Sequence, residues 1–447
     1  MVAVGHVGGE RAAAFQRRVA GLDADRVLLV GIDVAKPTWF VLACTLRGEI
    51  VFEGRRLLAT RAGFAQLVEM IDELRDEVQA QLVVVGVEAA GHLHRTLVGH
   101  LREVEGLEVR VLNPAAVAEE RKKQLNRRRK TDELDAAACC QLLRNGGGTI
   151  VSVDDEPVLA LRTLWTGRKD LVEARARMRQ QMHALSDRLW PGLTARDDDA
   201  GVRPLFYDLL DTKAGQVIVS LLAEGWGPER FATMDGEEMR ALFAGRGCRL
   251  NRTLAARIAG FAADSLPPHP SATAGAQPLL ARLWDTFVAL SARIGELEDQ
   301  MAVELARTDG AKLTQIPGIA TVTASGVVAF IGDVGRWERW ASVWRAVGLD
   351  PAQAQSGDTD PDLGISREGS AWGRHALLDA VVCAIRVPGR WRDTYLRREA
   401  NKPKKIAVIA TGNGLGRTMF AMMATGDDYD PDFETTRRRQ QEVAMAA

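Results

Sequence analysis

The amino-acid sequence predicts an α/β domain followed by a mainly helical remainder. Three observations lead there: β-branched runs alternate with amphipathic stretches up to Leu112, Gly146-Gly147-Gly148 ends that alternation, and a seven-residue apolar spacing takes over beyond it. Residues 1–25 are rich in Gly, Ala and Arg without clear periodicity and read as an N-terminal extension. The run Val27-Leu28-Leu29-Val30-Gly31-Ile32-Asp33-Val34 has the length and composition of a buried strand. Trp39 to Thr45 and Ile50 to Leu58 follow as strands, Arg61 to Val78 as a helix, Leu82 to Glu88 as a strand, and Leu93 to Val104 as a helix. A strand from Glu108 to Leu112 and a further helix complete the region, which spans residues 26–150.

An antiparallel start that passes into strand and helix alternation describes a mixed sheet. The order fits a ribonuclease-H-like fold, in which acidic residues cluster where the first and fourth strands lie side by side. Residues 151–310 then read as a helical, coiled-coil-like region. Leu164, Leu171, Met178 and Leu185 form one column, joined by Met182 and Leu189, and the pattern returns in Leu283, Leu290 and Leu297 beside Leu280, Phe287, Ile294 and Met301. Two such segments can pair within one chain as an antiparallel hairpin or across a dimer. Between them, Trp190-Pro191-Gly192 and Pro267-Pro268-His269-Pro270 bracket a helical insertion at about 191–275. Residues 311–426 form a mainly helical C-terminal domain, and 427–447 a polar tail. Leu313 to Ala324, with Pro317-Gly318 at its centre, reads as a helix, a tight turn and a second helix, similar to a helix-hairpin-helix that holds nucleic-acid phosphate on backbone N–H groups.

At 447 residues and 46% hydrophobic content the chain can build two or three cored domains. Its formal charge of −1 conceals local polarity, because Arg121 to Lys130 is almost continuously cationic. A second basic stretch from Arg386 to Arg417 interleaves Trp391 and Tyr395, a mixture that suits phosphates with stacked bases and equally describes a solvated face. The five cysteines are scattered and lack paired CxxC spacing, which points to reduced thiols and away from a disulfide frame or zinc site. His92 and His94 have no partner group at ligand spacing and read as surface or structural residues. Neither a signal-peptide core nor a membrane-length apolar run is present, so a soluble, cytoplasmic protein is expected.

Against this background four carboxylates stand out: Asp33, Glu88, Asp132 and Asp135. Asp33 and Glu88 each interrupt an apolar strand, where an ionised side chain must be paired or bind a cation. Asp132 and Asp135 open a helical stretch at a spacing of three, on one face. Carboxylate oxygens are the ligands Mg²⁺ prefers, and paired ions can clamp the attacking and leaving oxygens of a phosphodiester. Taken singly, Asp33 also fits a turn former and Asp132 an N-cap.

The ordered set Gly31-Ile32-Asp33-Val34-Ala35-Lys36, Gly86-Val87-Glu88-Ala89-Ala90-Gly91, Asn113-Pro114 and Lys130-Thr131-Asp132-Glu133-Leu134-Asp135-Ala136 resembles the N-terminal domain of the insertion-sequence family one-hundred-and-ten transposases. That domain is itself similar to the RuvC Holliday-junction resolvase. Ile316-Pro317-Gly318-Ile319, Gly332-Asp333, Gly348-Leu349-Asp350-Pro351, Gln355-Ser356-Gly357, Ile365-Ser366-Arg367 with Gly369, and Arg374 followed by Leu377 resemble the family's C-terminal serine transposase domain. The resemblance implies a Mg²⁺-dependent DNA recombinase guided by a structured bridge RNA that pairs with donor and target DNA. It implies metal binding at Asp33, Glu88, Asp132 and Asp135 and a covalent DNA link at Ser356; a homodimer or dimer of dimers is expected as the acting form, with the heptad segments as a means of assembly. Nucleic-acid contacts are expected at Lys122, Lys123, Arg127, Arg128, Arg129, Lys130, Arg367 and Arg374. By itself, Ser356 before glycine is an ordinary turn residue. Glu368 and Ser370 depart from the family, which usually shows a basic residue and Asn there, and Ala89-Ala90-Gly91 replaces Ala-Thr-Gly. Competing readings are a hydrolytic RuvC-like resolvase or DEDD nuclease, which has no use for Ser356, and a non-catalytic nucleic-acid-binding protein.

Overall fold

The computed structural model describes residues 10–125, 131–150, 156–194, 205–351 and 364–432. The chain divides into two units, residues 1–153 and 154–447. In the first, α1 (Glu10–Val19) precedes β1 (Val27–Val34), β2 (Thr38–Thr45), β3 (Ile50–Leu58), α2 (Arg61–Glu77), β4 (Leu82–Glu88), α3 (Leu93–Glu103), β5 (Leu107–Leu112), α4 (Pro114–Leu125), α5 (Asp132–Arg144) and the short β6 (Thr149–Ile150). The elements expected from periodicity are present, with ends shifted by a residue at most. One sheet runs β3-β2-β1-β4-β5-β6. β1 to β3 pair antiparallel, while β1, β4 and β5 run parallel, so β1 is central and flanked by β2 and β4.

Strand alternation then sorts the core into two layers. Leu28, Val30 and Ile32 of β1 join Val83, Val85 and Val87 of β4 on the face covered by α2 (Leu67, Ile71, Leu74) and α3 (Leu97, Val98, Leu101). Val27, Leu29 and Val84 lie on the opposite face, against Phe15 of α1, Val117 of α4 and Ala136, Cys139, Cys140 and Leu143 of α5. The sheet is thus buried on both sides, which is why β1 and β4 read as continuous apolar runs.

The second unit is helical: α6 (Glu156–Leu189), α7 (Lys213–Ala223), α8 (Pro228–Ala232), α9 (Gly236–Gly245), α10 (Arg252–Asp264), α11 (Pro270–Thr273), α12 (Ala276–Ala306), α13 (Thr321–Ile331), α14 (Trp340–Ala346), α15 (Ala371–Arg386), α16 (Arg390–Glu399) and α17 (Lys404–Thr425). The heptad segments α6 and α12 pair antiparallel within the chain, with Arg168 Nε donating to Glu298 Oε1 at 2.6 Å and Arg175 Nη1 to Ser291 Oγ at 3.4 Å. On α12 the seam is the column Leu280, Phe287, Ile294 and Met301, all buried. On α6 the middle of the expected column is only half-buried, and the ends do the packing: Leu161 and Trp165 at one, Met182, Leu185 and Leu189 at the other. Each end belongs to its own core. Residues 182–287 supply a cluster that includes Trp190, Phe231 and Phe243. The other gathers α13, α14, α15 and α17 around Leu161, Trp165 and Met301.

Before the Pro317-Gly318 turn the chain forms a 3₁₀ helix, Asp309–Gln315, and after it α13. Gly318 has φ +88° and a Cβ there would stand 2.5 Å from the Cys383 carbonyl oxygen, so α15 approaches too closely for another residue. Trp391, which interleaves a basic run that suits either stacked bases or a solvated face, is 5% exposed and packs in the core. Its apolar ring gains more from burial than from water, which leaves the outer surface of α16 to arginines. All five cysteines are free thiols, four of them buried. No helix among the described residues is long and apolar enough to cross a membrane.

Candidate active site

Two glycines prepare the sheet for the acids. Gly31 of β1 and Gly86 of β4 are register partners on the α5 face. A Cβ on Gly31 would lie 2.4 Å from the Ala136 carbonyl oxygen and 2.8 Å from Cys140 Sγ, and one on Gly86 would lie 2.9 Å from Leu143 Cδ1. The missing side chains let α5 lie directly on the two strands. Two residues further along each strand, alternation returns to the same face and presents Asp33 and Glu88. The parallel register pairs Ile32 with Val87, so the acids stand next to each other at adjacent strand ends.

Helix α5 supplies the rest. It begins at Asp132, and its N-cap is Thr131, whose Oγ1 accepts from the Leu134 N–H at 3.3 Å; Asp132 is therefore not the cap. Asp135 is 1% exposed, whereas the Asp132 side chain remains 42% exposed. The three-residue spacing places one carboxylate inside and the other at the rim. Buried Cys139 reports the convergence. Its thiol is pushed well above the usual range, first by burial and then by the charges of Glu88, Asp33 and Asp135.

Both helix carboxylates have cationic partners. Asp132 pairs with Arg56 on β3 and Asp135 with Arg121 on α4. Among the described residues no three His, Cys, Asp or Glu side chains form a group able to hold a metal ion. Arg121 follows Val117 by one helical turn, and Val117 is packed in the α5 cluster, so the same face of α4 directs the guanidinium at Asp135. Arg56 and Arg121 were not singled out from sequence; the latter was one cation in a run. The glycines did leave a signal, since Gly31-Ile32-Asp33 and Gly86-Val87-Glu88 share one spacing.

The remaining expected residues fall in different places. Ser356 and Arg127 to Lys130 lie outside the described residues. The segment carrying Ser356 is bracketed by a Pro351–Ile365 bridge, by the Ser366 N–H donating to the Asp350 carbonyl at 2.8 Å, and by Ser366 Oγ donating to Asp350 Oδ1 at 2.6 Å. Gly348 and Gly369 permit this closure, because a Cβ on either would lie within 2.6 Å of opposing backbone. Arg367 is exposed with φ +56°, and Arg374 donates to the Val347 carbonyl at 2.9 Å, so Arg374 helps hold this neck. Ser370 caps α15 by accepting from the Gly373 N–H at 3.2 Å, a role open to Asn as well. Lys122 and Lys123 are exposed, the latter paired with Glu119 at 2.9 Å. His92 is exposed, and burial holds the half-buried His94 below its ordinary pKa.

Comparison with known proteins bears on both units. Residues 30–191 match the DEDD transposase family of IS110 elements, described as a transposase, and residues 310–396 match the transposase IS116/IS110/IS902 family. A "Probable family 20 transposase" of Pseudomonas aeruginosa is 27% identical over 162 residues, covering 34% of this chain and 47% of that protein. A "Transposase for insertion sequence element IS1111A" of Coxiella burnetii is 29% identical over 145 residues, covering 30% of this chain and 39% of that protein. The chain thus spans less than half the length of these curated relatives. With the two family domains matched in order, over residues that include all four carboxylates and Ser356, the chain belongs to the IS110 family of transposases.

Proposed function

We propose that this protein cuts and rejoins DNA as the transposase of an insertion sequence, with Asp33, Glu88, Asp132 and Asp135 holding Mg²⁺ and Ser356 as nucleophile. The observation that carries the reading is the placement of Asp33 and Glu88 at neighbouring parallel strand ends, on the sheet face covered by α5 with its buried Asp135. The strand order, with the first and fourth strands adjacent, supports a ribonuclease-H-like fold for this unit. In kind the donor set fits a hard cation, because Asp33, Glu88, Asp132 and Asp135 offer only carboxylate oxygens, although among the described residues they are not gathered as a ligand group. When bound, Mg²⁺ supplies Lewis-acid stabilisation of charge on the phosphate.

Ser356 Oγ gives up its proton and attacks a DNA phosphorus, forming a serine ester as the bond to a deoxyribose oxygen breaks; that oxygen takes up a proton. The ester retains the phosphodiester energy, so a second strand's hydroxyl can displace the serine and reseal the DNA without ATP. Lys122 and Lys123 hold phosphate beside the acids. Bridge RNA selects donor and target DNA, and the protein acts as a dimer or dimer of dimers.

The test is a denaturation-resistant protein–DNA adduct formed from full-length protein, element-flanking RNA, Mg²⁺ and donor DNA, with the linked residue mapped by mass spectrometry. A link at Ser356, lost in Ser356→Ala, is expected. Cleavage without an adduct makes the protein a hydrolytic nuclease. Binding indifferent to Asp33→Asn, Glu88→Gln and Mg²⁺ makes it a non-catalytic binder.

A further inference from the structure

We propose that Arg121 is a built-in placeholder cation, which neutralises Asp135 until a divalent ion takes over that charge and so sets the affinity of the acidic cluster for metal. The inference rests on the metal-binding reading above. Two ion pairs hold the α5 carboxylates, and they differ in kind. Arg56–Asp132 has side chains 60% and 42% exposed, so water and salt screen it and Asp132 is released at little cost. Arg121–Asp135 has side chains 15% and 2% exposed. A carboxylate so buried needs compensating positive charge, and removing a guanidinium that supplies it is destabilising.

Asp33 and Glu88 stand at adjacent parallel strand ends, on the sheet face that α5 covers. Arg121 therefore sits against the buried one of the two α5 carboxylates that the metal-binding reading assigns to the ion. Guanidinium and metal ion then compete for Asp135, and by linkage whatever stabilises the Arg121 pair weakens metal binding by the same factor. A purely structural pin between α4 and α5 predicts no such coupling.

Isothermal titration calorimetry of full-length protein with MgCl₂ separates the two. Wild type binds Mg²⁺, Asp33→Asn abolishes binding, and Arg121→Gln tightens it by at least about fivefold, the lower end of typical site-to-site coupling. Arg121→Gln also melts at a lower temperature in EDTA and gains more from Mg²⁺ than wild type does. Should Arg121→Gln fail to fold, Arg121→Lys decides, because a point charge without the guanidinium fork pairs less well and tightens Mg²⁺ binding by a smaller factor. Wild-type Mg²⁺ binding with equal or weaker binding in the folded Arg121 variants overturns the placeholder role and leaves the metal reading standing. No Mg²⁺ binding by wild type overturns both.

Discussion

Replacing Gly31 with alanine tests whether close approach of α5 to β1 builds the site. The backbone at Gly31 has an ordinary negative φ, so alanine is locally acceptable and even gains about 0.5–1 kcal/mol over glycine in a strand. Opposing this, the new methyl would stand 2.4 Å from the Ala136 carbonyl oxygen, one residue from Asp135. An ordinary contact is about 3.5 Å or more. A backbone atom cannot rotate aside as a flexible side chain can, so α5 must retreat by about an ångström, at the usual overpacking cost of about 1–3 kcal/mol. The net loss reaches about 2.5 kcal/mol, which for a unit of this size lowers Tm by up to about 10 °C. The retreat also draws Asp135 away from Asp33 and Glu88 and weakens divalent-ion binding. Gly99→Ala is the matched control: it lies in α3 with nothing within 4 Å, and gains about 0.5–1 kcal/mol from helix propensity alone. Circular-dichroism melts and Mg²⁺ titration calorimetry read both effects. A Gly31→Ala protein as stable as wild type, with unchanged Mg²⁺ affinity, refutes the reasoning.

Two further outcomes are expected. Lys122→Ala combined with Lys123→Ala weakens binding to duplex DNA and, since each lysine neutralises one phosphate, flattens the slope of log K against log salt by about 1.8 in fluorescence-anisotropy titrations; an unchanged slope removes these lysines from the interface. At Asp208 burial pushes the carboxyl pKa up, but the Arg179 ion pair, the Leu210 N–H and His183 outweigh it and hold the pKa below 3.8. A lowered folded pKa gives stability that is full above the unfolded value and lost as pH falls through the folded one. Asp208→Asn should therefore be less stable than wild type at neutral pH and converge on it in strong acid, and parallel stability–pH curves from urea melts argue against the pair.

Much of the first unit was legible because its information is local. β-branched runs such as Val83-Val84-Val85 favour a buried strand, and capped amphipathic stretches such as Arg61–Glu77 favour a helix. Adjacency of β1 and β4 was expected only through the ribonuclease-H-like fold that the element order fits. What sequence could not assign was the partner of each charge. Arg121 looked like its neighbours Lys122 and Lys123, yet it alone of the three turns to a buried carboxylate. Trp391 sat in a basic run that suited either stacked bases or a solvated face, and proved to be core.

The chain by itself determined the order and type of the elements from β1 to β5, the positions of the four carboxylates, and the glycine two residues before each strand acid, whereas α1, within the stretch read as an aperiodic extension, emerged only where Phe15 and Val19 pack into the core. Periodicity and residue size act within a few residues, so they survive in a linear reading. Tertiary structure decided that Asp135 is buried while Asp132 stays at the rim, that Arg121 and Arg56 compensate them, and that α6 and α12 pair inside one chain. Those outcomes depend on which distant groups share a low-dielectric contact, and a charge three residues away in sequence carries no information about that.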